Sequence, residues 1–255
     1  MQPLDLIVLA LAVALGAAVQ AATGFGFAIL AAPVFLAVLD STAAVPILLA
    51  LHVVQCAFIV PRVWGAVPWP AFLQLGIGAA VGCPLGLWLF GALDVRQLKL
   101  AAGVLILVAA TLLIYRRLRP PPAGAAAAVH GTASEAPSET IVTGALAGAL
   151  TAVLVMPGPP LMVHLLHRPM AQEAARALSL TFFAACYVAV LSAHIWAGSL
   201  DAKSWSIVAW LIAPVLAGTA GGVTGSRWLR DHHFAIALYV MLIAAGVGAL
   251  LSALL

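Results

Sequence analysis

The chain has 255 residues, 65% of them hydrophobic and only 7% charged, and its mean hydropathy is +1.17. A soluble domain is about a quarter charged, so 11 basic and 8 acidic side chains cannot cover a water-facing surface. The composition argues against a soluble enzyme, and a formal charge of +3 carries no nucleic-acid footprint.

The uncharged windows run 6–39, 41–61, 63–93, 100–115, 140–167, 177–200, 204–226 and 232–255. A helix crosses the hydrocarbon core with roughly 20 apolar residues, and most of these windows reach that length. They are continuously apolar, without the period-two alternation of a membrane barrel. The pattern predicts an all-α polytopic membrane protein. Residues 1–5 lack the basic start of a secretory signal, so the first window is read as a retained membrane segment.

In chain order, the first half holds predicted segments at 4–22, 27–39, 43–61, 69–91 and 97–115. Residues 118–139 carry four prolines, two glutamates and many small residues without an amphipathic period, and read as a flexible linker. The second half holds segments at 140–155, 160–167, 173–194, 204–226 and 234–254. The organisation is thus a first transmembrane repeat over 1–117, a linker over 118–139 and a second repeat over 140–255.

The halves resemble each other in order. T-G-F-G-F at 23–27 matches M-P-G-P-P at 156–160, residues 43–46 match 174–177, Trp64 matches Trp196, and 82–86 match 221–225. Each match is weak alone, but four in one order indicate a duplicated unit of the kind usual in transporters. The first two segments of each half are short and meet at a glycine/proline break, which reads as a broken helical hairpin. If each hairpin enters and leaves on one side, Arg62, Arg116, Arg117, Arg119, Arg168, Arg176, Arg227 and Arg230 share one face, against Arg96, Lys99 and Lys203 on the other. That bias fits the positive-inside rule. It places the linker in the cytoplasm and both termini outside, and it gives the two repeats inverted topologies.

A break at membrane depth frees backbone groups that must find protein or water partners, so it usually lines a cavity. The helix that restarts there offers N–H groups and a partial positive charge to an anion. The expected donors are Gly26, Phe27 and Ala28 in the first half and Gly158, Leu161 and Met162 in the second, with Pro159 and Pro160 suited to a first helical turn. The alternative is a plain loop between two spanning helices. Polar side chains inside apolar windows are the other candidates: Gln20 and Thr23 before the first break, Thr151 before the second, His52 and Gln55 on one helix face, His164 one turn after the second break, and Thr181. Interhelical hydrogen bonding is the competing reading for each. Arg176 is the one basic residue within reach of a buried anion, or else a snorkelling interfacial arginine. His194 reads as interfacial. Cys56, Cys83 and Cys186 read as separate packing residues with no metal spacing, and glycines 78, 82, 86, 218, 222 and 225 as close helix-packing positions. No buried carboxylate pair, metal-ligand set or P-loop is visible, so no catalytic residue, metal or cofactor is expected.

The run G-x-x-x-x-x-x-T-G-F-G-F-x-x-x-x-x-P from Gly16 to Pro33 resembles the N-terminal signature of the TauE/SafE family of sulfite exporter-like permeases. Gly144 and Gly148 ahead of Gly158, Pro159, Pro160 and Leu161, with Ala-Arg-Ala at 175–177, resemble its second signature. The resemblance implies two inverted repeats with the glycine-rich breaks near the substrate. It also implies transport of sulfite, sulfoacetate, other sulfonates or small organic anions across the bacterial inner membrane. Here the second break is Met-Pro-Gly-Pro-Pro, where relatives more often carry extra glycine.

The sequence therefore predicts a secondary transporter, in the direction of export, that holds a small organosulfur anion between the breaks. The expected contacts are Gln20, Thr23, Gly24, Phe25, Gly26, Phe27, His52, Gln55, Thr151, Pro157, Gly158, Leu161, His164, Arg176 and Thr181. The partners are the anion and the lipid bilayer, not nucleic acid, and a homo-oligomer is compatible. An anion channel, a non-transporting membrane subunit and an intramembrane enzyme are the alternatives. In a background without native cysteines, Ser41→Cys should react with an impermeant thiol reagent in intact cells while Ser134→Cys stays shielded. Labelling of Ser134→Cys from outside overturns the inverted layout.

Overall fold

The computed structural model describes residues 3–118, 137–167, 170–225, 243 and 246–253. Among these no strand occurs, and the elements are α1 (Pro3–Thr23), α2 (Phe27–Leu39), α3 (Ala44–Val63), α4 (Trp69–Ala92), α5 (Val95–Leu118), α6 (Pro137–Leu154), α7 (Gly158–His167), α8 (Gln172–Trp196) and α9 (Ala202–Thr224). Residues 246–253 are helical as well. Most of the linker and of the predicted segment at 234–254 lies outside the described residues, as do Arg119, Arg168, Arg227 and Arg230 of the charge argument and position 134.

Among the described residues, six helices are long and apolar enough to cross a bilayer: Pro3–Thr23, Ala44–Ala66 (α3 with its terminal 3-10 turn), Trp69–Ala92, Pro137–Leu154, Gln172–Trp196 and Ala202–Thr224. The chain is a multi-pass helical membrane protein. With 13 and 10 residues, α2 and α7 reach only about 20 Å and 15 Å at 1.5 Å per residue, well under the roughly 30 Å hydrocarbon core. Their sequences explain the shortness. Helix α2 starts after Gly26 and stops where Asp40 takes a left-handed conformation, φ 44°. Helix α7 starts at Gly158, with two prolines in its first turn whose missing N–H groups cost nothing there.

The helices pair in a repeating way. Helix α4 packs along α6 and α1 along α9; α3 packs on α8; α2 follows α1 and α7 follows α6. Small residues set the two tightest pairings. Gly78, Gly82 and Gly86 of α4 face Ile141, Ala145 and Ala149 of α6 so closely that a Cβ on any of them would run into a carbonyl oxygen. Gly218 and Gly222 of α9 meet Ala14 and Ala18 of α1 in the same manner. Between hydrocarbon-facing helices there is no hydrophobic gain from association, so close backbone approach supplies the attraction. Gly225, expected in the same stripe, instead caps α9, its N–H donating to Gly221 O at 2.7 Å.

The outward faces of α1 and α4 carry Leu4, Ile7, Leu11, Leu73, Ile77, Val81, Leu85 and Trp88, all exposed, as suits a lipid contact. The inner helices α2 and α3 are buried along most of their length. At one end Lys99 of α5 pairs with Asp40 at 2.6 Å and so ties α5 to the end of α2.

Gly82→Val should destabilise the folded protein by about 1–3 kcal/mol or more through overpacking, read as a lowered melting temperature in detergent. Gly91→Val, at a position with open space around it, should leave the melting temperature nearly unchanged.

Candidate functional site

The first break is the three residues between α1 and α2. Gly24 has φ +89° and Gly26 φ +117°, a region where a side chain costs about 1–2 kcal/mol, which accounts for glycine at both. Gly24 N–H still donates to Gln20 O at 2.8 Å, closing the last turn of α1. The Thr23 hydroxyl stands 2.8 Å from both Val19 O and Phe25 O and accepts from Phe25 N–H at 3.2 Å. Thr23 is thus committed to shaping the break. Arg176 is committed as well. Its guanidinium donates through Nε (3.1 Å) and Nη2 to Ala21 O, a terminal carbonyl of α1, and its Cα backs onto Gly24. The released carbonyl that lipid could not satisfy is satisfied by Arg176.

At the start of α2, Phe27 N–H donates to Gln20 Oε1 at 3.2 Å across seven residues. One of the three expected helix-terminal donors is therefore already taken by a side chain of the preceding helix.

The second break is built differently. Helix α6 ends at Leu154, and Val155 takes the left-handed conformation, φ +61°. Its N–H donates to Thr151 O at 2.9 Å, while Met156 N–H donates to Leu150 O at 3.2 Å. A β-branched residue at positive φ is a true outlier, and such strain persists only where the surroundings over-determine it. By helix ends, Gly24 corresponds to Val155 and Phe27 to Gly158. The pairing of 23–27 with 156–160 read from sequence is displaced by two positions. Nothing in the sequence marks Val155, because valine is the residue type least expected there.

The two breaks meet. A Cβ placed on Gly158 would stand 3.4 Å from Phe25 Cδ1, and the Phe25 ring packs edge-on against Phe183 of α8 with centroids 5.6 Å apart. Pro157 and Leu161 are buried beside them.

Beside the first break lies a polar group buried in apolar surroundings. His52 of α3 sits between two rings, 3.9 Å by centroid from Phe27 and 4.6 Å from Tyr187 of α8. Its Nδ1 bonds Leu48 O at 2.7 Å, while its Nε2 is buried without a hydrogen-bond partner. Three residues on, Gln55 donates from Nε2 to Ala17 O of α1 at 2.9 Å, leaving Oε1 buried without a partner. Gln20, one helical step beyond Ala17, approaches the Tyr187 hydroxyl, but its Nε2 makes no hydrogen bond. Gln20, Phe27, His52 and Gln55 are thus brought together, and Tyr187 joins them. The sequence reading did not single out Tyr187. Its signal was a hydroxyl inside an apolar window, the same signal that selected the threonines.

The other candidates stand on α6, α7 and α8. Thr151 donates to Ala147 O at 2.7 Å and adjoins the Cys186 thiol of α8, which itself meets Cys83 of α4. The two cysteines, separated by a hundred residues of sequence, are neighbours rather than isolated packing residues. His164 is buried on α7 and has its own interactions. Thr181 is buried with its hydroxyl unpartnered. His194, in the last turn of α8, is 3% exposed and packs edge-on to Phe90. Among the described residues no group of three His, Cys, Asp or Glu side chains could hold a metal ion.

A family model described as "Sulfite exporter TauE/SafE" matches residues 8–249. No curated protein and no solved structure matches the chain.

Gly26→Val would force a branched side chain into φ +117° and bring its Cβ to 2.9 Å from Val19 Cγ1. The variant should insert into the membrane at normal yield and lose substrate flux. Normal flux in vesicles containing Gly26→Val would reduce the break to a connecting loop.

Proposed function

The chain belongs to the TauE/SafE sulfite exporter family, a family of membrane transporters, and from that premise we propose that it is a secondary transporter of a small organosulfur oxyanion. Sulfite, sulfoacetate or another short sulfonate is the cargo, and export across the bacterial inner membrane is the direction. The observation that carries this reading is the meeting of the two helix interruptions, Phe25 against Gly158, next to buried polar atoms of Gln20, His52 and Gln55 that the protein leaves unpaired. Buried polar groups are ordinarily satisfied, so a cluster of unpaired ones beside two helix starts suits a ligand that completes them.

In this reading the anion lies between the breaks. The N–H groups of Gly26 and Ala28 on one side and of Gly158 and Leu161 on the other give it partial positive charge; the N–H of Met162, the fifth residue of α7, is taken up within the helix. Each helix start contributes about 0.3–1 kcal/mol when exposed and up to about 2 kcal/mol when partly buried. Gln20, His52, Gln55, Thr151, His164 and Thr181 give side-chain contacts. Thr23 and Arg176 hold the first break in shape, and Arg176 also lends a positive field to it. Such terms suit a small anion of one or two charges, not a polyphosphate, which calls for an arginine or lysine cluster.

The pairing of helices supports two repeats, and the charge bias of the sequence supports their inversion. Exchanging α1 with α6, α2 with α7, α3 with α8 and α4 with α9 turns the α4/α6 pairing into α9/α1 and leaves the α3/α8 pairing in place. Repeat-built transporters place their site at the repeat interface and alternate access around it. The 118–139 linker is then cytoplasmic.

Purified protein in detergent should bind sulfite or a short sulfonate saturably in calorimetry. A cation or neutral sugar of similar size should bind far more weakly. His52→Ala should weaken anion binding about tenfold or more, the scale of a buried polar group left unpaired, and Gln55→Ala and His164→Ala should weaken it less. Tight binding of a cation with no response to sulfite, sulfonates or carboxylates overturns the proposal. Unsaturable anion conductance in vesicles replaces the transporter by a channel.

A further inference from the structure

The atoms that the buried polar group leaves unpaired have fixed hydrogen-bond characters, because their other ends bind backbone. A backbone N–H can only donate. Phe27 N–H therefore fixes the accepting atom of Gln20 as oxygen, and the unpaired atom is the NH2 group, a donor. A backbone carbonyl can only accept. Ala17 O therefore fixes the donating atom of Gln55 as nitrogen, and the unpaired atom is oxygen, an acceptor. By the same rule Leu48 O requires a hydrogen on Nδ1 of His52, so in the neutral ring the unpaired Nε2 is a lone-pair acceptor.

Beside the Tyr187 hydroxyl, which can both donate and accept, the unpaired atoms of the group thus present one donor and two acceptors to whatever completes it. A sulfonate has only acceptor oxygens. It would satisfy Gln20 and the helix-start N–H groups, yet it would set its negative oxygens against the lone pairs of His52 and Gln55 and leave both buried and unpaired. The larger mismatch, at the titratable His52, is removed if one proton accompanies the anion, and Gln55 Oε1 then takes a hydrogen only from a ligand that carries one. Carried on Nε2, the proton makes His52 a charged donor to the anion. Carried on the ligand as a hydroxyl, it satisfies one of the two acceptors directly.

The electrostatics favour the pair over either partner alone. His52 is fully buried between Phe27 and Tyr187. The titratable groups around it are the Tyr187 hydroxyl, the Cys56 thiol one turn along α3 and the Cys186 thiol beside Tyr187 on α8. The formal charges on the helices packed around α3 stand toward their ends: Asp5 of α1, Asp40 after α2, Arg62 of α3, Glu173 and Arg176 of α8, and Lys203 of α9. Of these, Arg176 is turned to Ala21 O. An isolated imidazolium here would lack a carboxylate partner, and an isolated anion would lack a cation at the histidine. Entering together they neutralise each other, and their mutual attraction offsets part of the desolvation cost that either charge would meet alone.

We propose that the anion site binds its substrate together with one proton, held between His52 Nε2 and the anion, so that anion movement is linked to proton movement. This rests on the reading of the breaks as an anion site. The proton comes from solvent on the side where the anion enters and leaves with it on the other, so no other co-reactant is needed.

The test uses the full-length protein in detergent and two probes. Methanesulfonate stays ionised and has no hydrogen to donate, whereas 2-hydroxyethanesulfonate brings a hydroxyl. Calorimetry in buffers of different ionisation enthalpy gives the protons taken up per anion, and titrations between pH 6 and 9 give the affinity. Methanesulfonate should take up close to one proton, and its affinity should fall by about tenfold per pH unit wherever the free imidazole is neutral. The same uptake with 2-hydroxyethanesulfonate places the proton on His52; a smaller uptake shows that the ligand hydroxyl substitutes for it. In His52→Gln the pH dependence for methanesulfonate should flatten, and if that variant fails to fold, the measurements on the unaltered protein decide alone. Methanesulfonate binding with no proton uptake and a constant affinity overturns the proton linkage while leaving the anion site standing. Failure of both sulfonates and of sulfite to bind at any pH overturns the anion site itself.

Discussion

A backbone group released inside a membrane protein must be satisfied by the protein, since lipid offers no partner. Everything around the first helix interruption follows from that constraint. Ala21 O finds the Arg176 guanidinium, Phe27 N–H finds the Gln20 amide, and Phe25 N–H finds the Thr23 hydroxyl. Each partner is a side chain drawn out of the set that could otherwise face a ligand. The interruption is therefore an ordered structure with a defined shape, and the few polar atoms it leaves over are left over in specific orientations.

The same constraint explains why the helices around the interruptions are so rich in small residues. Short helices α2 and α7 cannot cover their own ends. Helix α2 is enclosed by α1, α3 and α5, and α7 by α5, α6 and α8, while α1 and α9, and α4 and α6, approach at backbone distance through Gly218, Gly222, Gly78 and Gly82. Those contacts add no chemistry of their own. They set the frame against which α3 and α8 bring His52, Gln55 and Tyr187 to the break, and a frame held by backbone contact leaves little room for adjustment when a side chain is added.

The two interruptions reach a similar chain reversal by different means. Gly24 adopts positive φ without a steric penalty, while Val155 adopts it against one. The second interruption is consequently the more strained, and the proline and glycine after it restart the helix at once.

The amino-acid sequence by itself determined the class of the molecule and most helix limits. Long uncharged windows leave no alternative to buried helices, and glycine, proline and aspartate act locally, which is why α2 begins and ends at the expected residues 27 and 39. The sequence also marked Gln20, His52 and Gln55, because a polar side chain in an apolar window is conspicuous wherever it packs. Only the tertiary structure decided what each of them faces. Arg176 and Ala21 are remote in sequence, as are Cys83 and Cys186, and Tyr187 and His52, and their approach depends on how α8 crosses α1, α3 and α4. The left-handed Val155 was equally hidden, since a residue's own propensity argues against it and only its enclosure enforces it. Composition and spacing are properties of one segment at a time, whereas a hydrogen bond to a particular carbonyl is settled by the packing of several segments at once.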